Sequence, residues 1–266
     1  MCIFSVAYRV FPDCPIFVLT NRDESTERPT LSPRIFESAT PSGARWFGGT
    51  DQRAGGTWFG VNEHGLLAAV TNRKTVSVPT NPRSRGLLCR DVLEHSSAES
   101  ALGWVRDELS RQAFAGFNLI LLTARSCFIL ENADELKVQP LDPGIHTIGN
   151  GQLDDMDDDR VQRAQALVEE MVSAERDRQW MNCVERAKSI CRVQAEGNVP
   201  GICVHGDHWG TVGSTIVGLA LDSRDSGYQY AAGPPCRTPY VDYSTPLREL
   251  LARPTSNEQG AARFHS

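Results

Sequence analysis

The cysteine at position 2 is the residue with the most distinctive chemistry, because it directly follows Met1. Its small side chain permits removal of Met1, and the α-amine then exposed on Cys2 has a reference pKa of about 7.7–8.0. The thiol on the same residue titrates near about 8.5 unless a neighbouring cation lowers its pKa. One residue thus supplies a nucleophile and a general base. The sequence predicts a nucleophilic Cys2; the alternative is a small buried residue in an edge strand.

Four polar residues, Asn21-Arg22-Asp23-Glu24, close the second of two predicted strands. The strands cover residues 2–9 and 15–20, and a turn-rich connector joins them into a hairpin. This hairpin brings Arg22 within a short reach of Cys2, where its charge favours the thiolate. Asp23 is expected to hold the protonated α-amine.

The first strand is apolar without alternation, which predicts burial on both faces. A second hairpin is predicted from strands over 57–61 and 66–71, with Gly65 supplying a positive φ in the turn. The stretch 25–56 between the hairpins is rich in Pro, Gly, Ser and Thr. It is predicted to be a long active loop.

Helices and strands alternate in groups along the rest of the chain. Helices are predicted over 84–95, 97–112, 159–174 and 177–194, and strands over 117–123, 127–132, 136–140, 211–221 and 227–233. Grouped strands and helices favour an α+β fold with mainly antiparallel sheets. We predict one domain over residues 1–253 and a disordered tail over 254–266.

The chain resembles the NRDE family, which includes the transport and Golgi organisation proteins of eukaryotes. The resemblance rests first on Asn21-Arg22-Asp23-Glu24 together with Cys2. Further matching blocks follow in the same order up to about residue 235. They are Met1-Cys2-Ile3, Gly56-Thr57-Trp58-Phe59-Gly60-Val61-Asn62, Gly65, Thr71-Asn72-Arg73, Ser84-Arg85-Gly86 and Gly149-Asn150.

That family in turn resembles the cysteine N-terminal-nucleophile hydrolases, which include bile-salt hydrolases and penicillin V acylases. The resemblance implies a four-layer αββα sandwich and cleavage of non-peptide linear amides. It implies that Arg22, with Asp23 or Glu24, closes the second strand beside the nucleophile. It also implies that Asn72 stabilises the oxyanion and that Asn150 is a second amide donor, although both asparagines are also typical turn residues.

Three residues of the matching blocks are predicted to contact the substrate: Asn21, Glu24 and Trp58. Packing in the core is the alternative for Trp58. The late strand, which begins Trp209-Gly210-Thr211, lacks the arginine that the cysteine hydrolases carry there. The positive charge near the thiol is therefore expected to rest mainly on Arg22. This absence motivates a second hypothesis, a non-catalytic protein that binds or traffics haem or an acyl lipid; a scaffold with neither role is a third.

Two clusters suggest metal ligands but have simpler explanations. Cys203, His205 and His208 lie close together in sequence, yet the Cys-x-x-Cys pair of a zinc site is missing, so a loop is predicted. The acidic run 154–159 lacks the glycine and distal glutamate of a calcium loop, and it is predicted to begin a helix. We predict no metal and no cofactor.

The overall charge and the apolar segments exclude several classes of protein. The formal net charge is −6, and Arg83 and Arg85 are expected to be solvated, so no nucleic-acid partner is predicted. No apolar run approaches the roughly 20 residues of a membrane span, and the N-terminus lacks the features of a signal peptide. We predict a cytoplasmic protein with reduced, mostly buried cysteines. Its partner is expected to be a small acyl or amide substrate or a hydrophobic ligand.

Overall fold

The computed structural model describes residues 2–38, 40, 43–75, 78–175 and 177–252. Thirteen strands are present in this part of the chain. They are β1 (Ile3–Tyr8), β2 (Ile16–Ser25), β3 (Thr30–Phe36), β4 (Trp46–Asp51), β5 (Phe59–Asn62), β6 (Leu67–Asn72), β7 (Phe117–Leu122), β8 (Cys127–Asn132), β9 (Leu136–Pro140), β10 (Gly144–Ile148), β11 (Trp209–Leu219), β12 (Gly227–Ala231) and β13 (Val241–Asp242).

The strands form two sheets in which every pair of neighbours is antiparallel. The first sheet has the order β10-β1-β2-β11-β12-β13, and the second runs from β3 to β9 in chain order. The N-terminal strand β1 therefore lies inside the first sheet, between β10 and β2. This places the segment next to Cys2 within the sheet and not at an edge.

Within the described residues, five α-helices accompany the sheets: α1 (Arg85–Val92), α2 (Ala98–Arg111), α3 (Asp159–Ala174), α4 (Trp180–Arg192) and α5 (Ser244–Leu251). Helices α3 and α4 pack on the first sheet, whereas α1 and α2 pack on the second. Helix α5 contacts β12 and also β3 and β4. The result is the predicted α+β sandwich of four layers, αββα.

The central core lies between the two sheets and is built from alternate residues of their strands. Phe4 and Val6 of β1 point into this core, while Ala7 of the same strand packs against the α3–α4 layer. From the second sheet, Phe47 is fully buried and meets Tyr228 edge to face, with ring centroids 5.0 Å apart. The prediction that β1 is buried on both faces is confirmed.

The predicted helices and hairpins agree with the structure to within a few residues at their ends, and Gly65 has a φ of 76° in its turn. The prediction of a long loop over 25–56 is wrong, because β3 and β4 lie there. Strand β3 is an edge strand that contains Pro33 and has an irregular register. Edges and irregularities are where sheets accept proline. The composition of this segment therefore resembles that of a loop, although the segment forms a strand.

Strand β10 and helix α5 are two further elements that the sequence patterns did not predict. The tail predicted over 254–266 lies outside the described residues. The single domain over 1–253 stays a prediction. No described helix combines the length and apolar character needed to cross a membrane.

Candidate functional site

The Asn21-Arg22-Asp23-Glu24 sequence lies within β2, which continues to Ser25 beyond its predicted end. Side chains alternate between the two faces of a strand. Asn21 and Asp23 therefore point to the helix side of the first sheet, where α3 and α4 pack. Arg22 and Glu24 point to the opposite side, toward the second sheet. This alternation divides the four-residue motif between two environments.

Cys2 precedes β1 directly and lies beside this part of β2. The register pairs Ile3 with Asn21, so Cys2 is placed next to Arg22. Its Sγ is 4.0 Å from the backbone oxygen of Asp23, and the residue is half-buried. Burial and the charge of Asp23 raise the pKa of the Cys2 thiol, while Arg22 opposes this shift. In the resting protein the thiol is thus expected to carry its proton at neutral pH.

Arg22 is held rigidly between the two sheets. Its Nη1 donates to Thr30 Oγ1 at 2.6 Å, and its Nη2 lies 3.5 Å from Asp51 Oδ2. The guanidinium carbon stands 4.1 Å from the centroid of the Trp58 ring, a cation–π contact. Burial lowers the pKa of Arg22, whereas the Cys2 thiolate and Glu24 oppose that shift. The side chain is therefore a fixed positive charge next to Cys2.

Asp23 is bound on the helix side by partners distant in sequence. Arg160 Nη1 of α3 lies 2.7 Å from Asp23 Oδ2, and Thr211 Oγ1 of β11 donates to Asp23 Oδ1 at 2.6 Å. A register shift in β11 between Thr211 and Gly213 accompanies this contact. Burial raises the pKa of Asp23, and the charge of Arg160 opposes the shift. The carboxylate thus has one partner on α3 and another on β11.

Two clefts meet at Cys2. The first, of about 400 Å³, opens toward the second sheet, and the second, of about 640 Å³, opens toward α3. The first is lined by Cys2 together with the predicted residues Arg22, Asp23, Glu24, Trp58 and Asn72. The second is lined by Cys2 together with Asn150. Tertiary structure therefore gathers seven of the eight predicted site residues around one thiol.

Asn21 is the predicted site residue that lines neither cleft. It is fully buried, and its Nδ2 donates to the backbone oxygens of Cys191 and Ile202, at 2.9 Å each. Its side chain thus joins β2 to α4 and to the segment before β11, and the predicted substrate contact is corrected to a structural one. The reason is the alternation of β2, which turns Asn21 away from Arg22.

Asn72 and Asn150 differ in their surroundings. Asn72 ends β6 with an exposed side chain at the first cleft. Asn150 is half-buried, and among the described residues its Oδ1 has no hydrogen-bond partner although that atom is buried. A buried polar atom without a partner costs free energy, so a hydrogen-bond donor, from a water molecule or from a ligand in the cleft, is expected at Asn150 Oδ1.

Sequence reasoning missed two arginines. Arg85, at the start of α1, lines the first cleft and donates to the backbone oxygen of Gly116. Burial lowers its pKa, and the Cys2 thiolate opposes that shift. Arg85 is therefore half-buried and not solvated as expected, and it is a second cation near the thiol in addition to Arg22. Arg83 is not solvated either, because it pairs with Asp91 and Glu108.

Nothing in the sequence indicated that Arg160 belongs to the site, because this residue directly follows the acidic run 154–159. That run does begin a helix, as predicted: the Asp158 side chain caps α3 by accepting from the backbone N–H groups of Arg160 and Val161. The sequence feature that could have indicated Arg85 as a site residue is the block Ser84-Arg85-Gly86, which is part of the family resemblance.

Possible metal ligands also lie together, but not around Cys2. Atoms of Cys203, His205 and Cys236 are all within 4.8 Å of one another. The sequence pattern had combined the first two with His208, which is exposed and outside this group. The cysteine that completes the cluster comes from 33 residues further along the chain.

Comparisons with known proteins identify the family and the fold of the chain. The model of the Transport and Golgi organisation 2 family matches residues 1–220. No functionally curated protein matches the chain in sequence. Among solved structures, a Caenorhabditis elegans N-acylethanolamine-hydrolyzing acid amidase ortholog is similar with a TM-score of 0.52 and 17% identity, covering 81% of this chain and 92% of its own.

Two bacterial enzymes are similar over a larger share of the chain. Penicillin V acylase from Agrobacterium tumefaciens has a TM-score of 0.53 and 14% identity, covering 91% of this chain and 86% of its own. A mutant of conjugated bile acid hydrolase from Clostridium perfringens has a TM-score of 0.56 and 12% identity, covering 92% and 93%. At such identities the likeness establishes a shared fold, that of the N-terminal-nucleophile hydrolases.

Proposed function

The chain belongs to the Transport and Golgi organisation 2 family, and from this membership and its fold we propose that it is a cysteine amidohydrolase acting on linear, non-peptide amides. The observation that carries the proposal is the position of Cys2 where two clefts meet. A nucleophile at such a junction can attack a carbonyl whose acyl and amine portions extend in opposite directions. Removal of Met1 is part of the proposal, because it frees the α-amine of Cys2.

The reaction follows from the groups on one residue. The Cys2 α-amine accepts the thiol proton, and Sγ attacks the amide carbonyl to form a C–S bond. The C–N bond then breaks, and the amine leaves with that proton. Water next attacks the thioester, the C–S bond breaks, and the carboxylic acid departs as the thiol is restored. Arg22 and Arg85 favour the thiolate form, against the burial and the charge of Asp23 that raise the pKa of the thiol.

Asn72 and Asn150 are the proposed donors to the oxyanion. Attack at the carbonyl develops negative charge on oxygen, and a preorganised amide N–H aimed at it contributes about 2.7–4 kcal/mol to the transition state. The two residues stand on the two cleft walls that share Cys2.

The charges of the two clefts favour a polar substrate. The first cleft presents the half-buried Arg85 and the exposed Arg53, whose guanidinium groups suit an anionic group. The second is bordered by the acidic start of α3. We therefore propose an N-acyl amide with a carboxylate or similar anion on the portion that enters the first cleft.

The decisive experiment combines mass spectrometry with a screen of amides. Intact mass should show that Met1 is absent from the active protein. The screen should contain an N-acylethanolamine, penicillin V, a conjugated bile acid and N-acyl amino acids, the last group providing the carboxylate. Turnover should be lost in Cys2→Ala and kept in Cys183→Ala, which changes a buried cysteine of α4 outside both clefts.

Each contrary result has a definite meaning. Met1 retained on active protein, or full turnover by Cys2→Ala, would refute the nucleophile. Binding of haem or an acyl lipid that survives Cys2→Ala, together with no turnover by the wild type, would favour the non-catalytic alternative. An acyl group trapped on Cys2 by a slow substrate would support the thioester directly.

A further inference from the structure

We propose that Cys203, His205 and Cys236 form a zinc-binding site separate from the nucleophile. Cys203 is buried, Cys236 is half-buried and His205 is exposed at the surface. The two sulfur atoms are 3.6 Å apart, and His205 Nε2 lies 3.7 Å from Cys203 Sγ and 3.1 Å from Cys236 Sγ. Three donor atoms thus surround one point in space.

These separations match the edges of a tetrahedral zinc site. Zn–S bonds of about 2.3 Å and Zn–N bonds of about 2.0–2.1 Å give edges of roughly 3.8 Å between two sulfurs and roughly 3.6 Å between sulfur and nitrogen. The observed triangle is within about half an ångström of that geometry. Thiolates with imidazole favour zinc over the oxygen-seeking cations calcium and magnesium. Three protein ligands leave the fourth position for water or another small ligand.

The backbone holds the two cysteines in place without a metal. The Cys203 N–H donates to the backbone oxygen of Val193 at 2.8 Å. Cys236 lies in a turn in which the N–H groups of Arg237 and Thr238 both donate to the oxygen of Pro234. Zinc binding therefore requires little ordering of the chain at these two ligands, which reduces its entropic cost.

The zinc ligands are connected to the proposed active site through a few residues. The oxygen of Ile202 accepts from Arg160 Nη2 at 2.7 Å, and Arg160 in turn binds Asp23. Val204 lines the second cleft. A metal bound to Cys203 and His205 would fix both sides of Val204, and it would thereby stabilise this wall of the cleft.

A disulfide between Cys203 and Cys236 is the competing explanation for the short sulfur–sulfur distance. A disulfide requires a bond of about 2.05 Å, so the sulfurs would have to approach by about 1.5 Å. It would also give no role to His205, whose Nε2 is near both sulfurs. The zinc site accounts for all three side chains.

Metal titration of the reduced full-length protein tests the proposal. Protein stripped with a chelator should take up one Zn²⁺ per chain in competition with a chromophoric chelator. Co²⁺ in its place should give the near-ultraviolet absorption of cobalt–thiolate bonds. Cys203→Ser, Cys236→Ser and His205→Ala should each lose this site. Cys2→Ala and His64→Ala, which change a cysteine and an exposed histidine elsewhere, should keep it.

The outcomes separate the alternatives. Stoichiometric zinc that persists in His205→Ala, or in both serine variants, overturns the proposal. A Cys203–Cys236 disulfide in the purified protein, with no zinc uptake after reduction, overturns it as well. Circular dichroism identifies a variant that fails to fold; His205→Ala then carries the test, because its exposed ring is not part of the core. Because Cys2→Ala should lack amidase activity and still bind zinc, the zinc measurement does not depend on amidase activity.

Discussion

Arg160 Nη1 lies 2.7 Å from Asp23 Oδ2, which joins helix α3 to the strand that runs beside Cys2. The same guanidinium donates through Nε to the oxygen of Gly201 and through Nη2 to that of Ile202. One side chain thus holds a buried carboxylate and the segment that leads to the proposed zinc ligands. Because Asp23 is almost completely buried, this contact must carry much of its charge compensation.

Replacing Arg160 by Met should lower the free energy of unfolding by about 3–5 kcal/mol, because the charge of Asp23 would remain buried without its partner. Denaturant unfolding, followed by circular dichroism, measures the change. Arg186→Met is the matched control on α4. Its ion pair with Glu170 is largely exposed, so a loss below about 1 kcal/mol is expected. Equal losses in the two variants would contradict the importance of the buried pair.

Replacing Arg85 by Met should slow alkylation of Cys2 by iodoacetamide at a fixed pH. The change removes a cation that interacts with the Cys2 thiolate, so the pKa of the thiol should rise and the thiolate fraction should fall. Peptide mass spectrometry can follow Cys2 separately from the other seven cysteines. Arg53→Met, at the exposed rim of the same cleft, serves as the control. An unchanged alkylation rate in Arg85→Met would show that Arg85 does not act on the thiol.

Gly56→Ala should destabilise the protein by about 1–3 kcal/mol through overpacking. A Cβ at Gly56 would collide with the backbone of Gly86 and Leu87, where Thr57 N–H donates to the Gly86 oxygen at 2.9 Å. Because neither side is a flexible side chain, the start of α1 would have to move. Gly103→Ala, in an open position on α2, should instead stabilise by about 0.5–1 kcal/mol. Thermal or denaturant unfolding shows whether each substitution lowers or raises the stability of the protein.

The pair of His146 and Asp154 should make stability depend on pH. Burial lowers the pKa of His146, but the 2.7 Å contact with Asp154 and the charge of that carboxylate, together with the backbone oxygen and the charge of Asp142, outweigh it, so the net shift is upward. Because the pKa of His146 is higher in the folded state, protonation of this histidine stabilises the folded protein. The contribution is fully present below the unfolded-state pKa of about 6.5 and is lost as the pH rises through the folded-state pKa.

Asp154→Asn tests this linkage while keeping an amide at a position with a φ of 52°. The difference in unfolding free energy between wild type and variant should be largest below about pH 6 and should disappear at alkaline pH. Repeating the substitution in a His146→Gln background should abolish the pH dependence. A difference that grows with rising pH would have the wrong sign and would refute the assignment.

The sequence by itself determined the layered α+β class and most of the elements, because hydrophobic periodicity is a local property of each helix and strand. It also identified Cys2 and Arg22 as neighbours, since a short hairpin joins their strands. Periodicity failed for β3, whose proline and half-exposed edge position resemble a loop. The resemblance of short motifs predicted that Asn72 and Asn150 lie near Cys2, which no local pattern could have done.

Only the tertiary structure decided which side chains meet across the layers. The alternation of β2 sends Asn21 and Asp23 to the helices and Arg22 to the second sheet, and a one-residue difference in register would exchange them. Arg160 reaches Asp23 through the docking of α3, and Cys236 reaches Cys203 across 33 residues of chain. Such contacts depend on sheet register and helix packing, which involve the whole fold, so residue spacing along the chain does not reveal them.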